Sequence, residues 1–283
     1  MPELPEVETI VRQLAPALRG QRILKAKVLR RDVLRESPTR FRGTVAGAEV
    51  RSVTRRGKNI VLSLSASSTS RFLVVNLGMT GQLLLRCHPR RPARPTHVAV
   101  AFSLDSGDSL LYADSRRFGR LALFSPEEWE AESERLGPEP LSPGLTPWTF
   151  HHGLAGSRAP VRSWLLDQTR LAGVGNIYAC EALYRAGIHP ARTGASLEPA
   201  DSARLLMTLR EVLREAIEAR GTTLRDYRTA SGEEGSFVAF LRAYGREGES
   251  CPRCGTPIVR IVFSNRSAFL CPRCQPEAPG GGP

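Results

Sequence analysis

Lysine is almost missing from this 283-residue chain. Lys25, Lys27 and Lys58 are the only three, so 37 of the 40 basic residues are arginines. Aromatics make up 6% and methionines number three, which leaves little material for a broad aromatic binding surface. Apolar runs are short, residues 72–75 being typical, against the roughly 18 consecutive apolar residues that a membrane-spanning helix needs. The opening Met-Pro-Glu-Leu-Pro-Glu lacks the charged-then-apolar pattern of a secretory signal, so the cytosol is the expected compartment. Cysteine is sparse at six residues, which excludes a disulfide-stapled scaffold. What remains is ordinary globular composition, 41% hydrophobic and 24% charged, with length for about two domains.

The charge is one-sided. Forty basic residues against 28 acidic ones give +12 and a pI near 10.2, which calls for a polyanionic partner. With no membrane anchor in view, nucleic acid fits better than lipid. A position that keeps lysine in so arginine-rich a chain is a candidate for needing an amine.

Hydrophobic spacing divides the chain. Val7, Ile10, Val11, Leu14 and Leu18 recur at three and four, the apolar face of a helix over 5–19, with Pro5 tolerated in its first turn and Pro16 expected to end or kink it. Alternating and β-branched runs follow at 23–29, 44–53, 59–64, 72–77, 82–85, 97–102, 109–112 and 121–124, as in a β-sandwich or barrel. Residues 137–144, rich in Pro and Gly, read as a linker. Beyond it the pattern predicts helices at 161–168, 176–186, 202–220 and 237–244. The expected division is 1–136 for the sandwich domain and 137–148 for the linker. A helical DNA-binding domain over 149–244, a zinc finger over 245–275 and a disordered tail over 276–283 complete it.

Three local patterns carry chemistry. Cys251-Pro-Arg-Cys254 and Cys271-Pro-Arg-Cys274, sixteen residues apart, form a four-thiolate zinc signature. In a cytosolic context zinc is favoured over two disulfides or four free thiols, while Cys87 and Cys180 read as ordinary thiols. With Arg260 and Arg266 and no acid between the pairs, the zinc is structural and the hairpin is a basic finger for a DNA groove. Residues 171–178, Leu-Ala-Gly-Val-Gly-Asn-Ile-Tyr, put a Gly-rich turn before a helix that starts at Asn176, a geometry suited to phosphate. Finally, removal of Met1 before a small residue leaves Pro2 as a secondary amine. An α-amino pKa of ~7.7–8.0 keeps a usable fraction neutral and nucleophilic near pH 7. Such an amine can attack the C1′ carbon of a deoxyribose, with Glu3 as acid–base partner.

The order of motifs then narrows the reading. Met-Pro-Glu-Leu-Pro-Glu-Val-Glu, Arg56-Gly57-Lys58, Gly78-Met79-Thr80-Gly81, Asp114 to Gly119 (Asp-Ser-Arg-Arg-Phe-Gly), the Gly173 to Tyr178 turn, Gly221 to Asp226 and the four-Cys finger follow one another along nearly the whole chain. This resembles the bacterial formamidopyrimidine-DNA glycosylase family. The resemblance implies an α+β fold in two domains: a β-sandwich flanked by a helix, then a helical domain with a helix–two-turn–helix and a C-terminal zinc-ribbon hairpin. It implies a bifunctional glycosylase/AP lyase that flips out and removes oxidised purines from double-stranded DNA, then cuts the abasic site by β,δ-elimination through a Schiff base. One structural Zn2+ and a monomeric state in the bacterial cytosol or nucleoid go with it.

Residue by residue, the resemblance implies Pro2 as nucleophile, Glu3 as general acid–base, Glu6 as a second carboxylate at the site, and Lys58 and Arg266 as phosphate contacts that support catalysis. Met79, Arg116 and Phe118 match the side chains that fill the gap left by the extruded base, where stacking offsets the unstacking cost. Asn176 matches a phosphate contact. Tyr178 and Glu181 match residues of the helix lining the base pocket, and Thr222, Thr223 and Tyr227 belong to the loop over an everted purine. Three positions depart from the family pattern: Asn76 replaces a histidine, Arg162-Ser163 replaces Lys-Pro, and Arg94-Pro95-Thr96-His97 replaces Lys-His-Asp-His. The alternatives are an endonuclease VIII-type enzyme for oxidised pyrimidines and a non-catalytic zinc-ribbon DNA-binding protein. The Glu-Leu-Pro-Glu opening, the Met/Arg/Phe set and residues 222–236 favour the purine branch, and the binding-only reading leaves Pro2, Glu3 and Lys58 unexplained.

Overall fold

The computed structural model describes residues 2–66, 69–87, 95–263 and 266–277. Met1, Arg94 and residues 278–283 lie outside them, and with them the expectation of Met1 removal and most of the expected disordered tail. The chain forms two compact units, one of residues 1–135 and 217–238, the other of 136–216 and 239–283.

The first unit opens with helix α1, Leu4–Leu18. Pro16 lies inside its last turn, where the helix continues for two residues more before Arg19 ends it. Its apolar stripe, from Val7 through Leu18, is buried in the main core. Then come β1 (Ile23–Val28), α2 (Pro38–Val45), β2 (Glu49–Arg56), β3 (Asn59–Ala66) and β4 (Thr69–Asn76). Strands β5 (Gln82–Arg86), β6 (Val98–Leu104), β7 (Ser109–Ala113) and β8 (Arg120–Phe124) follow, then α3 (Pro126–Glu134). Two antiparallel four-stranded sheets result, in the orders β1-β6-β7-β5 and β2-β3-β4-β8. Ile60, Leu62, Leu73 and Val75 of one sheet share a core with Val100, Phe102, Leu110 and Tyr112 of the other.

Residues 44 and 45, expected to begin a strand, instead finish α2, which Ser37 starts by accepting the Arg40 N–H and Pro38 supports in the first turn. Helix α3 was not expected at all. Strand β3 is apolar on both faces, and its outward Val61 clusters with Val74, Ala122 and Phe124. Trp129 of α3 packs on that cluster, 5.9 Å from the Phe124 ring, so the acidic helix supplies the lid that a two-faced strand requires.

The second unit holds α4 (Pro147–Ala155), α5 (Val161–Leu166), α6 (Asn176–Ala186), α7 (Pro199–Glu218, within this unit to Ala216) and the hairpin β9 (Val259–Phe263) and β10 (Arg266–Leu270). Helix α4 was missed because 137–148 looked like a spacer. That segment is strapped down: the Arg210 guanidinium donates to the carbonyls of Pro140, Ser142 and Leu145. The helix expected over 237–244 is only a short 3-10 turn, Phe237–Phe240. Among the described residues no helix is long and apolar enough to cross a membrane.

Candidate functional site

In the first unit the chain's second residue is already structural. Pro2 is buried, and Glu3 and Glu6 form a reciprocal capping box at the start of α1, both 3% exposed or less. The Glu6 carboxylate joins two distant pieces of chain. Its Oε2 accepts the Glu3 N–H at 2.8 Å, and its Oε1 accepts the Thr222 N–H at 2.7 Å, across 216 residues of sequence. Gly221 makes that approach possible, since its φ is +85° and an added Cβ would meet Glu6 Cγ and Oε1 at 3.0 Å. Tyr227 donates to the Arg220 carbonyl at 3.0 Å, and its burial, then the Glu6 charge, pushes its phenol well above the usual range. Thr223 Oγ1 donates to the Tyr227 carbonyl and accepts the Gly235 N–H. The loop is also pinned to the sandwich by Gln13, whose Oε1 accepts the Ala230 N–H, and by Gln82, which donates to the Asp226 carbonyl. The structure therefore brings Pro2, Glu3, Glu6, Thr222, Thr223 and Tyr227 together. The helical domain had been expected to run unbroken through 244.

Two turns present the remaining side chains of this unit. Gly78 (φ +57°) lies against the backbone of Phe118 and Gly119, and a Cβ there would meet Gly119 N at 2.5 Å. Only a bare backbone lets the Met79 turn and the 114–119 loop lie this close. Met79 and Phe118 are 42% and 55% exposed, which leaves both apolar groups in solvent, and Arg116 lies over the Phe118 ring at 4.6 Å. Asp114 organises the pair. Its carboxylate accepts from Thr80 Oγ1 at 2.5 Å, Gly119 N at 2.9 Å, Tyr112 Oη at 3.1 Å and Arg116 N at 3.2 Å. Burial alone would raise the Asp114 pKa, but these donors together hold it below the ordinary carboxylate value.

Lys58 sits half-buried in the β2–β3 turn after Gly57 (φ +56°). Asn76, one of the three departures, links that turn to the Met79 turn: its amide donates to Asn59 Oδ1 at 2.9 Å, and its Oδ1 accepts the Gly78 N–H at 3.0 Å. Sequence reasoning missed this bridge, and also missed Asp114 as the hub of the wedge.

In the second unit α6 is the axis. Asn176, its first residue, accepts from Arg162 at 2.7 Å and donates to the Ser267 carbonyl at 2.9 Å. Arg162, only 2% exposed, donates to the same carbonyl at 3.0 Å. One guanidinium nitrogen of Arg162 thus bridges α6 and β10, next to exposed Arg266. Burial lowers the Arg162 pKa, partly offset by Cys180.

Two of the expected site residues lie inside the packing of α6. Glu181 is fully buried, and its carboxylate accepts the N–H groups of Arg242, Ala243 and Tyr244 at 2.8–3.1 Å, so it shapes that chain segment. Tyr178 is also fully buried. Both stand inside α6 two and five residues after Asn176, spacings that turn their side chains away from the face Asn176 presents.

The four ribbon cysteines converge. Cys254 lies 3.4 Å from Cys271 and 3.5 Å from Cys274, Cys251 lies 3.9 Å from Cys274, and all four sulfurs fall within 4.8 Å of one another. A tetrahedron with Zn–S bonds of ~2.3 Å has edges of about 3.8 Å, so the donor set fits zinc. One structural zinc per chain belongs here.

A two-sheet unit with its acidic cluster at the chain's first residues, together with a helical unit carrying a four-thiolate ribbon, defines a class of two-unit enzymes that act on DNA. Family models match over residues 1–121 (formamidopyrimidine-DNA glycosylase N-terminal domain), 136–228 (its H2TH domain) and 248–276 (zinc finger found in FPG and IleRS). A formamidopyrimidine-DNA glycosylase of Symbiobacterium thermophilum is 44% identical over 99% of this chain and 91% of its own. Two solved Lactococcus lactis Fpg structures, one with abasic-site DNA and one with N7-benzyl-Fapy-dG DNA, superpose with a TM-score of 0.88 at 29% identity. They cover 97% and 98% of this chain and all of theirs. The chain belongs to the formamidopyrimidine-DNA glycosylase family, whose members are base-excision-repair enzymes.

Proposed function

We infer that this enzyme removes oxidised purines from double-stranded DNA with the Pro2 amine as nucleophile and then cleaves the abasic site. The observation that carries the reading is the buried Glu3–Glu6 capping box directly after Pro2, tied by Glu6 to the Thr222 loop. A residue held at the first turn of a buried helix is fixed in space, which an attacking amine requires. Pro2 nitrogen bonds to C1′ as the bond from C1′ to the base breaks, the base leaving with the electron pair and taking up the proton that the amine sheds. Glu3 delivers a proton to O4′, the sugar ring opens, and an iminium joins Pro2 to C1′. Loss of a C2′ proton expels the 3′-phosphate, a second elimination expels the 5′-phosphate, and water releases the sugar fragment.

The other assignments follow the exposures. Met79, Phe118 and Arg116 enter the stack left by the flipped base, Arg116 hydrogen-bonding the orphaned partner. Lys58, Asn176 and Arg266 neutralise phosphates, and Thr222, Thr223 and Tyr227 hold the loop over the purine. The enzyme acts as a monomer in the bacterial cytosol. Structures of Lactococcus lactis Fpg with lesion-bearing DNA support the substrate class. Excision from duplexes bearing 8-oxoguanine, a formamidopyrimidine or thymine glycol tests it: purine lesions are expected to be cut at least tenfold faster, and a preference for thymine glycol refutes the purine assignment.

A further inference from the structure

The zinc knuckles are fastened to the end of α6 by side chains that no zinc-ligand motif includes. Tyr184, fully buried in the last turn of α6, has its hydroxyl 3.2 Å from Cys251 Sγ. Among the described residues that hydroxyl has no other hydrogen-bond partner. A zinc-bound cysteine is a thiolate with no proton to give, so Tyr184 must be the donor. Arg253, between the two cysteines of the first knuckle, returns the contact. Its guanidinium lies over the Tyr184 ring at 4.8 Å and donates to the carbonyls of Tyr184 at 3.1 Å and Arg185 at 2.9 Å. Both are last-turn carbonyls of α6, the Tyr184 one also accepting the Gly187 N–H at 3.1 Å, and a cation at the negative end of the helix dipole is favourably placed. The second knuckle docks alongside: Gln275 accepts the Cys271 N–H and donates to the Ile188 carbonyl at 2.9 Å.

We propose that Tyr184 is a positioning residue of the zinc site, donating a hydrogen bond to the Cys251 thiolate, so that metal retention is coupled to the helix whose first residue is Asn176. The hydrogen bond fixes the orientation of Cys251 and moderates the charge that four thiolates place on one ion; partners of this kind change metal affinity by roughly 10–100-fold when removed. Tyr184 stands eight residues after Asn176, about 12 Å along the helix axis. Loss of zinc then frees the cap of α6 at one end while the Arg162–Asn176–Ser267 clamp holds the other.

Tyr184→Phe separates this role from packing, because it keeps the ring and its stacking with Arg253. The zinc-loaded full chain is mixed with a chromogenic chelator, and the transfer equilibrium and rate are followed by absorbance. The variant is expected to lose zinc with an affinity lowered roughly 10–100-fold, at unchanged far-UV circular dichroism. Equal zinc retention by the two proteins overturns the proposal. In the cadmium-substituted proteins the thiolate-to-metal charge-transfer band should move to lower energy in Tyr184→Phe, because the thiolate loses a donor. A band at the wild-type energy overturns it as well, and Tyr184→Leu, which also lacks a donor, provides the same reading if Phe folds poorly.

Discussion

The two units solve one problem in opposite ways. Both must hold a cluster of side chains against an anionic duplex, and the chain carries +12 to draw that duplex in. In the first unit the organisers are acids: Glu6 and Asp114 each collect N–H or O–H donors from separate segments. In the second unit the clamps are arginines, Arg162 and Arg210, which collect carbonyls. Glu181 and Asp201 follow the acidic pattern there too, Glu181 on the 242–244 backbone and Asp201 on Arg192 and Arg204. A carboxylate hub turns N–H groups inward and leaves nothing to repel phosphate at the surface. A guanidinium hub adds positive charge where the backbone of DNA is to be gripped. Among the described residues the buried acids are Glu3, Glu6, Asp114 and Glu181, and each accepts backbone N–H groups.

The comparison breaks most severely at the chemistry. Pro2→Gly should abolish borohydride trapping on abasic DNA, or lower it at least a hundredfold, while zinc content and circular dichroism stay as in the wild type. Trapping at the wild-type level would remove Pro2 from the reaction. Next in size, Cys254→Ser should release the zinc, measurable by metal analysis. It should weaken duplex binding at least tenfold, with the salt slope of binding falling by about one per lost phosphate contact. Persistence of full affinity in metal-free protein would show that the ribbon carries none of the grip.

Gly78→Ala tests the meeting of the two wedge turns. A Cβ at φ +57° set against the Gly119 backbone is expected to cost about 2–4 kcal/mol in denaturant unfolding, and excision should fall more than abasic cleavage. Glu181→Gln sharpens the contrast inside the second unit. Losing the charge that accepts three consecutive N–H groups should cost roughly 2–3 kcal/mol in the same assay. The smallest effect concerns acid. Asp114 has a folded pKa below its unfolded value, so its contribution is complete above the ordinary value of ~3.9 and is lost as pH falls through the folded value. Wild-type stability should drop more steeply below about pH 4 than that of Asp114→Asn, and parallel curves would show that Asp114 carries no acid sensitivity.

Legibility in the sequence followed range. The Cys-x2-Cys pairs, the Asn176 helix start and the Pro2-Glu3 opening are local patterns, and each reads without a fold. The strands read from alternation, except where β3 is apolar on both faces and needs α3 as cover. What stayed hidden is long-range or buried: Glu6 on Thr222, Arg210 on the 140–145 carbonyls, Asn76 between two turns. No periodicity marks a carboxylate whose partner is 216 residues away. The burial of Tyr178 and Glu181 was hidden for a related reason. Motif membership places a residue on the right helix, while burial decides what its side chain meets.

The central claim is that the attacking group is the amine at the chain's start. Abasic duplex is trapped on the zinc-loaded enzyme with borohydride, digested, and the adduct located by mass spectrometry. The account predicts the sugar remnant on the N-terminal peptide, attached to Pro2 with Met1 absent. An adduct on Lys58 or on any other lysine, or a chain that reacts with Met1 still in place, would contradict it.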